Sequence, residues 1–271
     1  MKDKERLDKL LPELGLTETR TKAQALIMAG NVRVNGQVVT KSGALFPREA
    51  AITVEGVRQW AGRGAQKLLR AFEVFPLDVA GKVCADFGAS TGGFTDVLLA
   101  NGAGRVYAID VGYGQLLWRL ASDSRVVVMD RTNARYLTRE DFPERVEFGV
   151  CDVSFISLRL ILPVMDDCVK DGAVVLIKPQ FEAGRERISK GVVRDKAVHV
   201  EVLEGVTGFI HEHTGFSIAG LTYSPIRGPE GNIEFLCYLT HSDDAVNTHQ
   251  NTPVNYDINA IVDEAHEVFY A

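Results

Sequence analysis

The segment DFGASTGGFTDVLLANGAGRVYAID, from Asp86 to Asp110, ends one apolar run on an acid and puts three glycines within six residues. An amphipathic stretch, a second apolar run and a second acid follow. Glycines in such a turn let the backbone approach a ligand, and the amides opening the next helix attract an anionic group. Spacing separates the candidate ligands. A dinucleotide fingerprint needs G-x-G-x-x-G, and Ser90 stands where its second glycine would admit a pyrophosphate. Gly88-Ala89-Ser90-Thr91-Gly92 matches the G-x-S-x-G nucleophile elbow, which also requires an acid and then a histidine on later loops. His199, His211 and His213 fall on a predicted helix and its end, and His249 and His266 lie in the tail, so a hydrolase is disfavoured.

The pattern D-x-G-x-x-x-G-G fits S-adenosylmethionine (SAM). Asp86, Gly88, Ala89, Ser90, Gly92, Gly93 and Phe94 are the expected loop residues, with the glycines admitting the methionine part. Asp110, ending the second strand, is placed to accept both ribose hydroxyls, and Asp130, ending the third, lies near the adenine. Asp152 ends the fourth strand and joins the same set, while Lys178 ends the fifth and Glu234 lies near the start of the seventh. Ligand sites of open α/β sheets lie beyond the carboxyl ends of the strands, so these three charges converge beside the loop. A lysine with a lowered pKa, held by carboxylates, can orient a hydroxyl and assist loss of its proton. The pattern does not itself say that the acceptor is ribose.

Those residues need a sheet to position them. The runs KVCADF, RVYAI, VVVMD, RVEFGVC, AVVLIK, FSIAGLTY and NIEFLCYLT read as strands, and TDVLLANG, SLRLILPVMDDCV and KAVHVEVLEGVTGFIHEHT as helices. Alternation predicts a parallel sheet covered by helices on both faces. Only SPIRGPEG joins the last two strands, so they are expected to pair antiparallel. Seven strands of this kind resemble the Rossmann-like sheet of class I SAM methyltransferases.

Ahead of this body, Leu7, Leu10, Leu11 and Leu14 recur at helical spacing and stop at Gly15. A second helix begins near Thr19, carries Ala25, Leu26 and Ala29, and ends at Gly30. Val32 and Val34 then alternate before an Asn35-Gly36 hairpin turn. Residues 1–70 hold 13 Lys and Arg against 7 Asp and Glu, and the remainder 17 against 29. A basic front on an acidic body implies a polyanion-binding module, with Arg6, Lys9, Arg20, Lys22, Arg33 and Lys41 as its candidate phosphate contacts.

The front residues RLDKLLPELGLTETRTKAQALIMAGNVRVNGQVV resemble the αL RNA-binding module named after ribosomal protein "S-four". RQWAGRGAQKL, DFGASTGGFTDVLL, DVGYGQL, DRTNAR, CDVSFISL, IKPQFE and SPIRGPEGNIEFL together resemble the TlyA (hemolysin A) family of ribosomal RNA 2′-O-methyltransferases. The catalytic domain of that family is similar to FtsJ-type enzymes, which use a Lys-Asp-Lys-Glu tetrad. The resemblance implies Lys67, Asp152, Lys178 and Glu234 as catalytic residues, with Lys178 central. It also implies SAM as cofactor and ribosomal RNA, within ribosomal subunits, as partner, with cytidine as the nucleotide. Arg58-Gln59-Trp60-Ala61 departs from the R-x-W-V of known members. The expected organisation is a small α+β αL-type RNA-binding domain (1–60), a linker and helix (61–79), the α/β class I SAM-methyltransferase domain with an antiparallel last strand (80–240), and an acidic linker with a C-terminal amphipathic helix (241–271). On that helix Ile258, Ile261, Val262, Ala265, Val268 and Phe269 share one side.

Composition narrows the alternatives. No apolar run is long enough to span a bilayer and the N-terminus is charged throughout, so a cytoplasmic protein is expected, not a membrane-active hemolysin. The four cysteines form no CxxC pair and read as reduced core thiols; no metal is expected. A non-catalytic RNA-binding or assembly factor is the remaining rival, and the intact loop and tetrad argue against it.

Overall fold

A computed structural model describes residues 4–14, 16–17, 19–56, 60–188, 191–241 and 256–270. The stop expected at Gly15, the linker residues Arg58 and Gln59, and the acidic segment 242–255 lie outside these. Residues 1–63 and 64–271 form two compact units.

The first unit contains β1 (Lys4–Arg6), α1 (Leu7–Glu13), α2 (Arg20–Met28), β2 (Val32–Val34), β3 (Gln37–Val38), β4 (Leu45–Pro47) and β5 (Ile52–Val54). Thr19 caps α2, its hydroxyl oxygen accepting from the Lys22 amide, and Gly30 leaves the helix at φ 80°. Asn35 and Gly36, at φ 50° and 81°, close the β2–β3 hairpin. Two further antiparallel pairs, β2 with β5 and β1 with β4, extend the unit beyond what local signals indicated. The core gathers Leu7, Leu10, Leu11, Ala23, Ile27, Val32, Val34, Ile52 and Val54. On α2 the inward face is therefore Ala23 and Ile27, whereas Ala25 and Ala29 are exposed. In a helix with so few large apolar residues, contact with α1 chooses the face.

The second unit runs α3 (Ala65–Val74), β6 (Val83–Phe87), α4 (Gly93–Ala100), β7 (Arg105–Ile109), α5 (Trp118–Ala121), β8 (Val126–Met129), β9 (Val146–Cys151), α6 (Leu162–Cys168), β10 (Val169–Ile177), α7 (Pro179–Glu182), α8 (Lys196–His213), β11 (Phe216–Tyr223), β12 (Phe235–His241) and α9 (Ile258–Tyr270). Its sheet has the order β11-β12-β10-β9-β6-β7-β8. The strands from β6 to β10 pair parallel, and β12 inserts antiparallel between β10 and β11. β10 begins at Val169, so the chain leaves α6 directly into the sheet earlier than the apolar run suggested. Four thiols, Cys84, Cys151, Cys168 and Cys237, are free and buried, and burial pushes each up to about 12. No helix among the described residues is long and apolar enough to cross a membrane.

α9 packs on α8 and β11 with Val262, Ala265 and His266 buried. Val268, expected on the inner side, is 57% exposed. A 3.6-residue stripe admits either neighbour, and a histidine partner on α8 draws His266 inward instead.

Candidate active site

Sheet register alone brings the strand-end charges together. β10 and β12 pair with Ile177 opposite Phe235, and the same register carried one residue further sets Lys178 opposite Glu234. On the other side β9 pairs with β6, and the Asp152 amide donates to the Phe87 carbonyl at 3.1 Å, which places Asp152 beside the glycine turn. α3 delivers Lys67, which is 5% exposed, from the far end of the sequence. Lys67 Nζ lies 3.1 Å from Asp152 Oδ2 and 2.8 Å from Glu234 Oε2, and Lys178 Nζ lies 2.6 Å from Asp152 Oδ1. The four groups form a chain of alternating sign, Lys178–Asp152–Lys67–Glu234, and both lysines and Glu234 are buried.

Burial pulls the Lys67 ammonium toward the neutral form, but the charges of Asp152 and Glu234 outweigh it and hold its pKa above the ordinary lysine value. Lys67 is thus a fixed cation between two carboxylates. Lys178 donates a further bond of 2.8 Å to Ser154 Oγ, a residue that sequence reasoning passed over.

The glycine turn follows β6. Gly88 and Gly92 have φ of 90° and 98°, and Ser90 has φ of 49°. The glycines answer to the protein itself as much as to any ligand. A Cβ on Gly88 would sit 3.0 Å from the Asp152 carbonyl oxygen, and one on Gly92 would run into Leu116 and Leu120. Gly93 opens α4, and Ala89, Gly93 and Phe94 are buried, so they shape the turn from behind, whereas Ser90 is exposed. Asp86 lies beneath the turn, fully buried, accepting from the Thr95 amide at 2.9 Å and its hydroxyl at 2.7 Å. Burial pushes its carboxyl up to about 7, against the Thr95 bonds and with help from the charges of Asp152 and Asp110. Asp86 Oδ1 has no hydrogen-bond partner among the described residues.

Asp110 and Asp130 follow β7 and β8. Asp110 accepts from the Ser90 amide at 2.8 Å and the Gly112 amide at 2.7 Å, and Asp130 from the Gly114 amide at 2.9 Å. Each carboxylate oxygen has two lone pairs, so these half-buried groups keep acceptor capacity for a diol or an amine. With the unsatisfied Asp86 oxygen, this set of acceptors suits a ligand that presents an ammonium group and ribose hydroxyls, as SAM does.

Beside Ser154 and after β7 stand aromatic residues that the strand pattern did not reveal. Phe155, next to Ser154, is 90% exposed at φ 65° and lies 5.4 Å from the Phe181 ring. Tyr113, after β7, carries the Arg131 guanidinium 4.4 Å from its ring centroid. Exposed aromatic and guanidinium planes offer stacking surfaces to unpaired bases. Among the described residues no cluster of side chains could hold a metal ion.

The basic candidates of the first unit differ in their surroundings. Asp8 is buried and accepts from Arg6 Nε at 2.9 Å, Arg20 Nε at 3.0 Å and Gln24 Nε2 at 2.7 Å, which lowers its pKa. Arg6 and Arg20 are thereby fixed side by side, with a large part of each left in solvent. Lys9 pairs loosely with Glu5 at 3.7 Å, and Lys22 on α2, Arg33 on β2 and Lys41 after β3 are exposed.

A seven-stranded sheet of this order, with a glycine turn after its first strand and acids closing the next two, defines the Rossmann-like methyltransferase class. The chain belongs to the FtsJ-like methyltransferase family, which its residues 60–241 match, and residues 5–47 match the S4 domain. It is 49% identical to a Bacillus subtilis protein provisionally named as the rRNA methyltransferase YqxC, over 97% of this chain and 95% of that one. It is 44% identical to the 16S/23S rRNA (cytidine-2′-O)-methyltransferase TlyA of Mycobacterium tuberculosis, over 89% of this chain and 92% of that one. A solved structure of a protein provisionally named a hemolysin, from Streptococcus thermophilus, aligns with a TM-score of 0.76 at 44% identity, covering 100% of this chain and 98% of that one.

Proposed function

We propose that the protein transfers the methyl group of SAM to a ribose 2′-hydroxyl of ribosomal RNA, with cytidine as the nucleotide and assembled or assembling subunits as the substrate. The observation that carries this reading is the buried chain Lys178–Asp152–Lys67–Glu234 beside the glycine turn. Bound SAM supplies an electrophilic methyl group. Gly88, Ser90 and Gly92 would receive its methionine part, with Asp86, Ala89, Gly93 and Phe94 supporting the turn, and Asp110 and Asp130 its ribose and adenine end.

A ribose hydroxyl is a weak nucleophile at neutral pH, so the protein must stabilise the charge that grows on its oxygen. Lys178 Nζ is the group assigned to contact that oxygen and assist loss of its proton. Asp152, bonded to both lysines, orients Lys178 and balances its charge; Lys67 and Glu234 hold Asp152 in place. Phe155, exposed beside Lys178, would stack on a base turned out of the RNA. The S4-domain match and the Arg6–Arg20 pair on Asp8 support RNA contact by the first unit, with Lys9, Lys22, Arg33 and Lys41 as further phosphate contacts.

Incubating the purified protein with labelled SAM and unmodified subunits, then mapping the label, tests the reading directly. Label on a ribose 2′-oxygen is expected, and label on a base or none at all overturns it. Lys178→Ala should slow transfer by roughly a hundredfold or more, the scale of a lost acid–base group, with S-adenosylhomocysteine affinity kept.

A further inference from the structure

We propose that α9 is a positioning element for the catalytic site: it braces the β11–β12 turn so that Glu234 stays seated on Lys67. The inference rests on the reading of Lys67, Asp152, Lys178 and Glu234 as the catalytic set, and it gives the C-terminal helix a role in that set.

Glu234 is 1% exposed and is the last residue of the turn between β11 and β12. Three contacts from α9 reach residues that hold this turn. Arg227 lays its guanidinium over two rings of α9, 5.2 Å from the Phe269 centroid and 4.7 Å from that of Tyr270. The next residue, Gly228, has its backbone against the Glu234 carboxylate; a Cβ there would be 2.6 Å from Glu234 Oε1. At the base of the same arm, Tyr223 Oη donates to Glu264 Oε1 at 3.1 Å, and the following Ser224 amide donates to the Glu234 carbonyl at 2.8 Å. His266 pairs with His199 at 2.8 Å, and the His199 ring lies 5.7 Å from that of Phe235, the neighbour of Glu234.

Helix burial alone does not account for this pattern. Only Val262 and Ala265 among the apolar residues of α9 are fully covered, and beside its bonds to α8 through Asp263 and His266 its directional contacts go to the arm of this one turn, through Glu264, Phe269 and Tyr270. A cation over an aromatic face fixes a guanidinium plane, and two rings fix it better than one. Position matters here because Lys67 is buried, and a displacement of Glu234 by an ångström would leave that ammonium short of one counter-charge. Misplacement on that scale, even from a remote change, lowers rates strongly.

The test uses the full-length protein, labelled SAM and unmodified ribosomal subunits. Phe269→Ala with Tyr270→Ala removes the ring platform; Arg227→Gln removes the cation and leaves α9 intact, so it guards against a general loss of folding. Both should lower kcat roughly tenfold, with the KM for subunits and the affinity for S-adenosylhomocysteine unchanged. Phe269→Tyr, which keeps the ring, should retain the wild-type rate. In a Glu234→Gln background the ring substitutions should cost nothing further, because their effect runs through Glu234. Wild-type kcat in both Arg227→Gln and the ring variant overturns the inference, as does an equal loss in the Glu234→Gln background. If Glu234→Gln alone transfers methyl groups at the wild-type rate, the catalytic set falls and the inference with it; if only the α9 and Arg227 variants are silent, the catalytic set stands without it.

Discussion

Asp86 shows how one buried side chain couples the ligand turn to pH. Its carboxyl titrates near 7 in the fold and near 3.8 when unfolded, because burial disfavours the charged form. The stabilisation this group contributes is therefore complete below about pH 4 and is lost as pH rises toward about 7, by an amount on the order of 4 kcal/mol. Asp86→Asn keeps an acceptor for Thr95 and cannot ionise. Its urea midpoint should exceed that of the parent at pH 8 and approach it at pH 4. Gly88 is the second residue-scale case. Gly88→Ala must hold a side chain at φ 90° and press on the Asp152 carbonyl, so both thermal stability and methyl transfer should fall. Ser90→Ala, whose described bond to Asp110 is made by the backbone, should retain most of the activity.

At the scale of elements, the docking of α9 on α8 carries its own acid sensitivity. His199 is buried, and burial together with the neighbouring His266 pushes it down to about 4; His266 is lowered as well, by burial and by Lys196. Asp195 and Asp263 face the pair and oppose the shift, while Lys196 is itself bonded to Asp263 at 2.7 Å. Both histidines are thus neutral in the fold. The contribution of His199 is present above about pH 6.5 and is lost as pH falls toward about 4, and that of His266 is lost in the same direction. This runs against the trend set by Asp86 over the same interval, so the two are separated by substitution. On going from pH 7 to pH 5 the change in Tm should be more favourable in His199→Leu than in the parent, whichever sign the parent's own change has.

For the whole molecule the division of charge decides how RNA is engaged. Residues 1–63 have a net charge of +4 and residues 64–271 one of −10, so the net charge of the second unit by itself disfavours a polyanion. Removing residues 1–57 should abolish methylation of subunits while leaving S-adenosylhomocysteine binding intact, since the glycine turn and the charged chain belong entirely to residues 64–271. RNA affinity of the full chain should fall at least about tenfold between low and physiological salt, as counterion release requires. Undiminished activity of the truncated protein, measured on the same subunits, would show the front unit to be dispensable.

Local signals were enough to read the seven strands, the Asn35-Gly36 hairpin, the Thr19 cap and the residues that close each strand, because each depends on neighbours a few positions away. An antiparallel last strand followed from a connection too short for a helix, and with it came the meeting of Lys178 and Glu234. Lys67 is different. It lies 85 residues from Asp152, on a helix whose own pattern gives no reason for a buried lysine, and resemblance alone pointed to it. Its raised pKa, the exposed Phe155 at positive φ, and the choice of His266 over Val268 for the inner face of α9 were decided by tertiary packing. Periodicity states which residues can share a face; only the partner brought against that face determines which of them is buried, paired or left in solvent.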